Sequence, residues 1–487
     1  MKKKLIVISI LSAMHGTTQA HAQTVQDLQQ ALAQAQKAAA DAQKAAQQAM
    51  DALAQIQNAA TTAKTSTAAP VAVTRAMSTD QNGVPLAPES GGISLYTDAN
   101  TSLHIYGLLE ATISDAQHQT TNGGTAAGFQ TAWFSGNRMG FDAVHALANS
   151  DSIGLPGLKV ISRLETEFEL PTGNMDTANV FFNRDAWLGL YSDDLGKLTL
   201  GRQNTLVRDF TQTWGDPYGS SDVTLKEGGY SNVNNFKQFI FYSGGATSTR
   251  FNSGIVWKKK MDDHWVVGLA HAFGSGGAGG SGDVGNGGST PGDFTNGTTT
   301  QGSVAYNNLN LGVGKLSVNA SLNRADVSDL IHTAELIGGN FTTGIFRFNT
   351  GLAHYTAEQG VNNSMGTRTD NSWTMSMSLT PVGKLEYDLG YQQLKGTHAG
   401  FGAGGNILSP FGNTANVTTV ANGGKNTVYG SIFYHVDKQL DVYLAADYFR
   451  TTGGWIVGDA QGNGLHYGVG NTYNSEIEAA IGMRFKF

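Results

Sequence analysis

Glu476-Ile477-Glu478-Ala479-Ala480-Ile481-Gly482-Met483-Arg484-Phe485-Lys486-Phe487 decides how the rest of the chain is read. Ile477, Ala479, Ile481, Met483, Phe485 and Phe487 fall on one side of an extended backbone. Glu476, Glu478, Ala480, Gly482, Arg484 and Lys486 fall on the other. A period of two with one apolar and one polar face is the mark of a β-strand between two different environments. The same period recurs upstream. In Leu103 to Ile113 the odd positions are apolar or small, and Leu316, Val318, Ala320 and Leu322 alternate with Ser317, Asn319, Ser321 and Asn323. Trp373, Met375, Met377 and Leu379 alternate with Thr374, Ser376, Ser378 and Thr380.

Such strands fit either a soluble sandwich or a transmembrane barrel with its apolar faces turned to lipid. Three features favour the barrel. The strands run about 9 to 14 residues, enough to cross hydrocarbon when tilted. Tight turns (Asp193-Asp194-Leu195-Gly196, Pro381-Val382-Gly383, Val436-Asp437-Lys438) alternate with long Gly/Asn/Thr loops such as 274–300 and 396–424. Aromatic residues gather near strand ends, at Trp187, Tyr191, Tyr434, Tyr443, Tyr448, Phe485 and Phe487, where a girdle would sit. Hydrocarbon offers no partner for backbone amides, so the sheet must close. Seventeen candidate strands emerge between 103 and 487, one too many for an even-numbered barrel. The surplus lies in 236–274. The expected fold is an all-β, transmembrane antiparallel β-barrel over residues 101–487, with sixteen strands preferred to eighteen.

Composition agrees. Of 487 residues 63 are Gly, only 14% are charged and none is Cys. Disulfide scaffolds, Cys-ligated zinc and thiol catalysis are excluded. A formal charge of −7 argues against nucleic acid as a partner. The twelve His form no HExxH or paired ligand spacing, Gly274 to Gly288 lacks the following Gly-Lys-Ser/Thr, and no Gly-x-Ser-x-Gly elbow occurs. No metal, cofactor or enzymatic activity is expected.

The N-terminal hundred residues differ in character. Lys2, Lys3 and Lys4, the apolar run Leu5 to Met14 and the small-x-small Ala20-His21-Ala22 make residues 1–22 a signal peptide for export. Residues 23–64 carry a seven-residue repeat: Val25, Leu32, Ala39, Ala46, Leu53 and Ala60 at one seam position, Leu28, Ala35, Ala42, Ala49, Ile56 and Ala63 at the other. This predicts an α-helical coiled coil, about 60 Å long at roughly 1.5 Å per residue. Its larger seam residues, Val25, Leu28, Leu32, Leu53 and Ile56, are candidate oligomer contacts. Residues 65–100, with Pro70, Pro85, Pro88 and Gly91-Gly92, read as a linker.

Several segments resemble the Gram-negative general porin family. Ser102-Leu103-His104-Ile105-Tyr106-Gly107 is similar to its first strand and Ser135-Gly136-Asn137-Arg138-Met139-Gly140-Phe141 to its second. Gly157-Leu158-Lys159-Val160 with Leu164-Glu165 is similar to its third. Asn183 to Leu190, Leu198 to Gln203, the hairpin Tyr434-His435-Val436-Asp437-Lys438 with Val442-Tyr443, and the closing Ile481 to Phe487 follow in family order. The resemblance implies a sixteen-stranded, trimeric outer-membrane channel for ions and small hydrophilic solutes, with the third extracellular loop folded into the pore. It also implies outer-membrane lipids and lipopolysaccharide as surroundings, and the barrel assembly machinery as the partner that reads Phe487, the membrane-insertion terminus. Position 185 is Asp where the family usually has Gln.

Parity then sorts candidate pore-lining residues. Met139 and Phe141 turn outward, so Arg138 and Asp142 turn inward; Leu158, Val160, Leu164, Phe168 and Leu170 send Lys159, Arg163, Glu165, Glu167 and Glu169 inward. Phe346, Phe348 and Leu352 place Arg347 inside, and Glu110, Glu386, Asp388 and Asp447 follow the same logic. By resemblance Arg184 belongs to a basic constriction wall, although parity puts Asp185 and Trp187 together on the other face. Arg202 shares parity with Leu198 and Leu200 and reads as wall or subunit interface. Asp209, Asp216, Asp222 and Glu227 lie where the inward loop is expected, and they would oppose the arginines across the pore. Two rival readings remain open. The coiled coil, in the periplasm, could tie the outer membrane to peptidoglycan, or the chain could be a trimeric adhesin, which would need a shorter barrel.

Overall fold

The computed structural model describes residues 92–117, 124–130, 133–134, 136–177, 179–215, 250–275, 292–293, 297–327, 329–380, 383–401, 414–437, 439–453 and 474–487. The expected signal peptide and coiled coil lie outside these residues. Sixteen strands form a closed antiparallel barrel. They are β1 (Thr101–Ala116), β2 (Asn137–Ala146), β3 (Lys159–Phe168), β4 (Asp185–Ser192), β5 (Gly196–Asn204) and β6 (Arg250–Lys260). β7 (Trp265–Ala272), β8 (Thr299–Asn310), β9 (Lys315–Val327), β10 (Leu330–Thr343) and β11 (Phe346–Ala357) follow. β12 (Arg368–Leu379), β13 (Leu385–Phe401), β14 (Thr419–His435), β15 (Leu440–Gly453) and β16 (Ser475–Lys486) complete the wall. Each strand pairs with its sequence neighbour, and β16 closes the ring on β1 from Leu108↔Lys486 to Ala116↔Glu478.

Strand number is settled at β5, which pairs directly with β6 from Lys197↔Lys258 to Asn204↔Arg250. That ladder leaves no place for a further wall strand between them; the part of 236–274 that precedes Arg250 lies outside the described residues. The span read as linker also holds more than expected. Its end, Ile93–Thr97, is a short strand paired with β1 at Ser102 to Ile105, just beyond the reach of β16.

The two faces of the wall are inverted relative to a soluble protein. Leu188, Leu269, Leu352, Met375, Leu389, Leu444, Ile481 and Met483 are exposed on the outside, Leu269 by 62%. Gln301, Ser303, Asn319, Ser321, Asn323, Asn349, Ser376 and Thr427 are buried inside, Gln301 to 2%. Neighbouring polar rows bond one another, as in Gln301 Nε2 to Asn323 Oδ1 at 2.9 Å and Ser303 Oγ with Ser321 Oγ at 2.8 Å. An oily exterior and a polar, hydrogen-bonded interior are what a closed sheet in lipid requires.

One rim carries mostly short turns, the other most of the long connections. At the turn rim Asp262 Oδ1 accepts the amides of Trp265 and His264 at 2.7 and 2.8 Å, and Asp437 Oδ1 those of Gln439 and Leu440 at 2.8 and 2.9 Å. These backbone donors hold both carboxyls below the usual range. Gly196, at φ +79, supplies the left-handed residue that the β4–β5 turn needs. At the loop rim the connections vary widely. β9 and β10 are joined by only two residues after the Val327↔Leu330 pair, whereas 205–249 separates β5 from β6.

The aromatic girdle is partly different from the expected one. Tyr434, Tyr448 and Phe485 face outward, but Trp187 and Tyr443 point inward, 6% and 3% exposed. Position near a strand end does not specify a face; parity with the exposed Leu188 and Leu444 does. Trp265, stacked edge-on against Tyr306 at 4.9 Å, and Phe346 supply the turn-rim aromatics that were not anticipated.

Candidate functional site

Three elements fill the barrel interior. The first is α1 (Leu206–Gly215), which follows β5 and lies within the segment expected to fold inward. The Thr205 hydroxyl accepts the Arg208 amide at 3.2 Å, an N-cap contact that starts the helix. Leu206, Phe210 and Trp214, spaced four apart, share one face with Val207, and all four are buried. That face packs on the interior of β6 to β11, with Leu206 and Phe210 joining Val256, Val266, Ala270 and Ala305. Val207 and Trp214 join Ala334, Leu336, Ala353 and Tyr355. Trp214 covers Gly338 and Gly351, where any Cβ would overlap its indole.

Wall side chains also bind the helix end. Asn319 Nδ2 donates to Phe210 O at 2.9 Å, and Asn319 Oδ1 accepts the Trp214 indole N–H at 2.7 Å. Asn340 Nδ2 and Arg347 Nη2 donate to Thr213 O at 2.6 and 2.7 Å. These donors satisfy terminal carbonyls that have no intrahelical partner, and the Arg347 charge suits the negative end of the helix. Arg347 therefore faces the interior and is engaged in holding α1. Near the other end Lys258 Nζ reaches Asp209 Oδ2 at 2.6 Å. Asp209 is thus paired with a lysine on the adjoining wall and does not stand opposite the arginines. Asp216, Asp222 and Glu227 lie outside the described residues, so the expected acidic loop is represented by Asp209 alone.

The second element is a charged network on β2 to β4. Arg163 makes a two-point pair with Asp142, directly opposite in register, at 2.7 and 3.0 Å, and its guanidinium lies 5.2 Å from the Tyr106 ring centroid. The Tyr106 hydroxyl donates to Glu165 Oε2 at 2.7 Å. Arg184 bridges Glu165 and Glu167. Arg138 sits opposite Glu167 in register, and Lys159 lies at the turn-rim end of β3. The parity conflict at 184–185 disappears because β4 begins only at Asp185. Asp185 and Trp187 face inward while the chain just before them curves in and buries Arg184 as well. Glu169 falls past the strand, in a turn where it accepts the Thr172 hydroxyl at 2.9 Å. Leu158 also departs from expectation: it precedes β3 and is fully buried instead of facing outward. Arg202 is partly exposed, donates to Asn183 O at 2.8 Å and Asn252 Oδ1 at 2.5 Å, and so ties β5 to the segments flanking it.

Across the interior, Glu386, Asp388, Asp447, Glu476 and Glu478 are buried on β13, β15 and β16, with Lys425 and Arg484 nearby in the wall. Charge is thus divided between arcs, while the arc under α1 is lined mainly by amides, hydroxyls and small side chains.

The third element was not visible in the sequence. Glu110 faces inward but is sealed. Its carboxylate accepts the amides of Trp133 and Phe134 at 2.7 and 2.8 Å, the Tyr443 hydroxyl at 2.8 Å and Arg484 Nε at 3.1 Å. Trp133 and Phe134 are buried with Tyr429, Phe433, Tyr443, Ala445 and Ala480. β2 begins only at Asn137, and Trp133 and Phe134 before it lie outside its ladder. Phe487 closes the barrel seam, exchanging backbone hydrogen bonds with Gly107 at 2.9 and 3.1 Å.

Comparison with known proteins gives the same architecture. The family profile for Gram-negative porins matches residues 45–454. An outer membrane porin protein of Bordetella pertussis is 26% identical over 138 residues, which cover 26% of this chain and 34% of that protein, about a third of its length. The anion-selective porin from Comamonas acidovorans superposes with a TM-score of 0.54 at 15% identity, covering 80% of this chain and all of that one. OmpT, an outer membrane protein of Vibrio cholerae folded in vitro, gives a TM-score of 0.50 at 14% identity over 81% of this chain and 99% of that one. At these identities the two structures are similar in fold.

Proposed function

This chain belongs to the Gram-negative porin family, and we propose that it forms a water-filled outer-membrane channel through which ions and small hydrophilic solutes diffuse passively. The observation that carries the reading is α1, held inside the barrel by hydrogen bonds from Asn319, Asn340 and Arg347. A helix packed on one interior arc narrows the passage and leaves the charged arcs to border it. Flux then follows solute size and charge, with no energy input and no chemistry. The lining residues in this reading are Arg138, Lys159, Arg163, Arg184, Asp142, Glu165 and Glu167, with Arg347 and Asp209 acting through the position of α1. The chain is proposed to assemble as a homotrimer in a lipid and lipopolysaccharide bilayer, with Arg202 at or near a subunit contact and Phe487 as the signal for the barrel assembly machinery. Planar-bilayer recording of the purified full chain under a salt gradient tests this. Discrete conductance steps closing in threes are expected; a protein that folds as a barrel yet never conducts overturns the proposal.

A further inference from the structure

We propose that the inward-turned pair Trp133 and Phe134 is a second pore-narrowing element, standing across the interior from α1 and held in position by Glu110. The inference rests on the channel reading above. Its first support is register. Gln130 pairs with Thr112 and Arg138 with Leu108, so seven residues, 131–137, face three, 109–111, on β1. The wall strand carries four residues more than a continuous ladder needs. An ordinary β-bulge adds one. Within that surplus Trp133 and Phe134 turn to the interior. Phe134 meets Phe433 at 4.9 Å and Tyr443 at 4.7 Å, both on the interior face.

The second support is polar satisfaction. Backbone amides that leave a ladder inside a barrel need another acceptor. Those of Trp133 and Phe134 find it in Glu110, whose charge is balanced by Arg484 from the opposite side of the seam. A carboxylate with four buried donors is an anchor, and it holds the backbone of Trp133 and Phe134 in place. The third support is position. Trp133 and Phe134 pack on β14, β15, β16 and β1, whereas α1 packs on β6 to β11. In a ring of sixteen these arcs lie nearly opposite, so the two inserts narrow the same passage from both sides.

Glu110 is a positioning residue here and need not touch solute. The test uses the full chain in planar bilayers and in liposomes swelling in sugars of graded size. Deleting residues 132–135 restores a matched ladder, and Trp133→Ala with Phe134→Ala trims the insert without changing register. Both, and Glu110→Ala, should raise single-channel conductance by about 1.5-fold and admit sugars that the wild type excludes. If the wild type conducts and heat-resistant barrels of the variants match it in conductance and size cut-off, the pair is mere wall packing and the inference fails while the channel reading stands. A wild type that does not conduct removes both.

Discussion

Gly338 and Gly351 face each other directly across the β10–β11 ladder, and the Trp214 indole occupies the space that their missing side chains leave. The pair is a window cut in the wall for one residue of the interior helix. Gly351→Val fills it. Overpacking of this kind costs about 1–3 kcal/mol, and the relief available is to push Trp214 and the end of α1 off the wall. Tryptophan emission should shift to longer wavelength and channel current should become noisier, while the barrel keeps its strand content by circular dichroism. Unchanged emission and current would mean that α1 docks without this window.

Arg184 bridges Glu165 and Glu167. Arg184→Ala leaves two neighbouring carboxylates without that cation and moves the network toward cation preference. One unit charge acting at 4 Å in water is worth about 1 kcal/mol, so the cation-to-anion permeability ratio should rise about fivefold at low ionic strength. Reversal potentials across a salt gradient read this directly. The shift should shrink in concentrated salt as screening grows.

The turn aspartate Asp262 has its carboxyl held below the usual range by the amides of Trp265 and His264. A carboxyl depressed in the folded state stabilises that state at pH above its unfolded value, near about 3.9, and the contribution disappears as pH falls through the folded value. Asp262→Ala should therefore unfold at lower denaturant concentration than wild type at neutral pH. The gap should close in acid. A gap independent of pH would assign the effect to something other than the carboxylate.

Leu352 and Ser303 stand on opposite faces of the wall, the first 57% exposed and the second 8%. Leu352→Arg places a charge against lipid, at a cost of about 2–4 kcal/mol near the bilayer midplane. Folding into vesicles, followed by gel mobility with and without heating, should be impaired for it. Ser303→Thr, on the interior, should fold like the parent. Equal folding of Leu352→Arg would contradict the outward orientation of its row.

The barrel was legible because alternation is a local property. Ile477 to Phe487 declares both faces of β16 without any knowledge of its neighbours. Parity assigns a face in the same way wherever a strand runs unbroken, as it does around Asp142, Arg163, Glu165 and Arg347. What failed depended on where strands begin and on register. Arg184 and Asp185 could be reconciled only once β4 was seen to start at 185. The surplus at 131–137 exists only relative to β1, so no single segment announces it. Glu110 looks like any interior acid until its partners arrive from residues 133, 134, 443 and 484. The glycines at 338 and 351 carry no sign of Trp214, which is 124 and 137 positions away.

The two-residue link between Val327 and Leu330 has a practical outcome for anyone probing the mouth. Along that arc the parapet drops to the level of the strands themselves, directly above the part of the wall that carries α1. A thiol introduced at Asp329 would sit on this two-residue link, where a bulky reagent or antibody fragment arriving from outside meets no overhanging hairpin from β9 or β10. Attachment there would obstruct the entrance from the side of α1, and graded sizes of attached polymer would measure how far the opening extends toward the charged arcs.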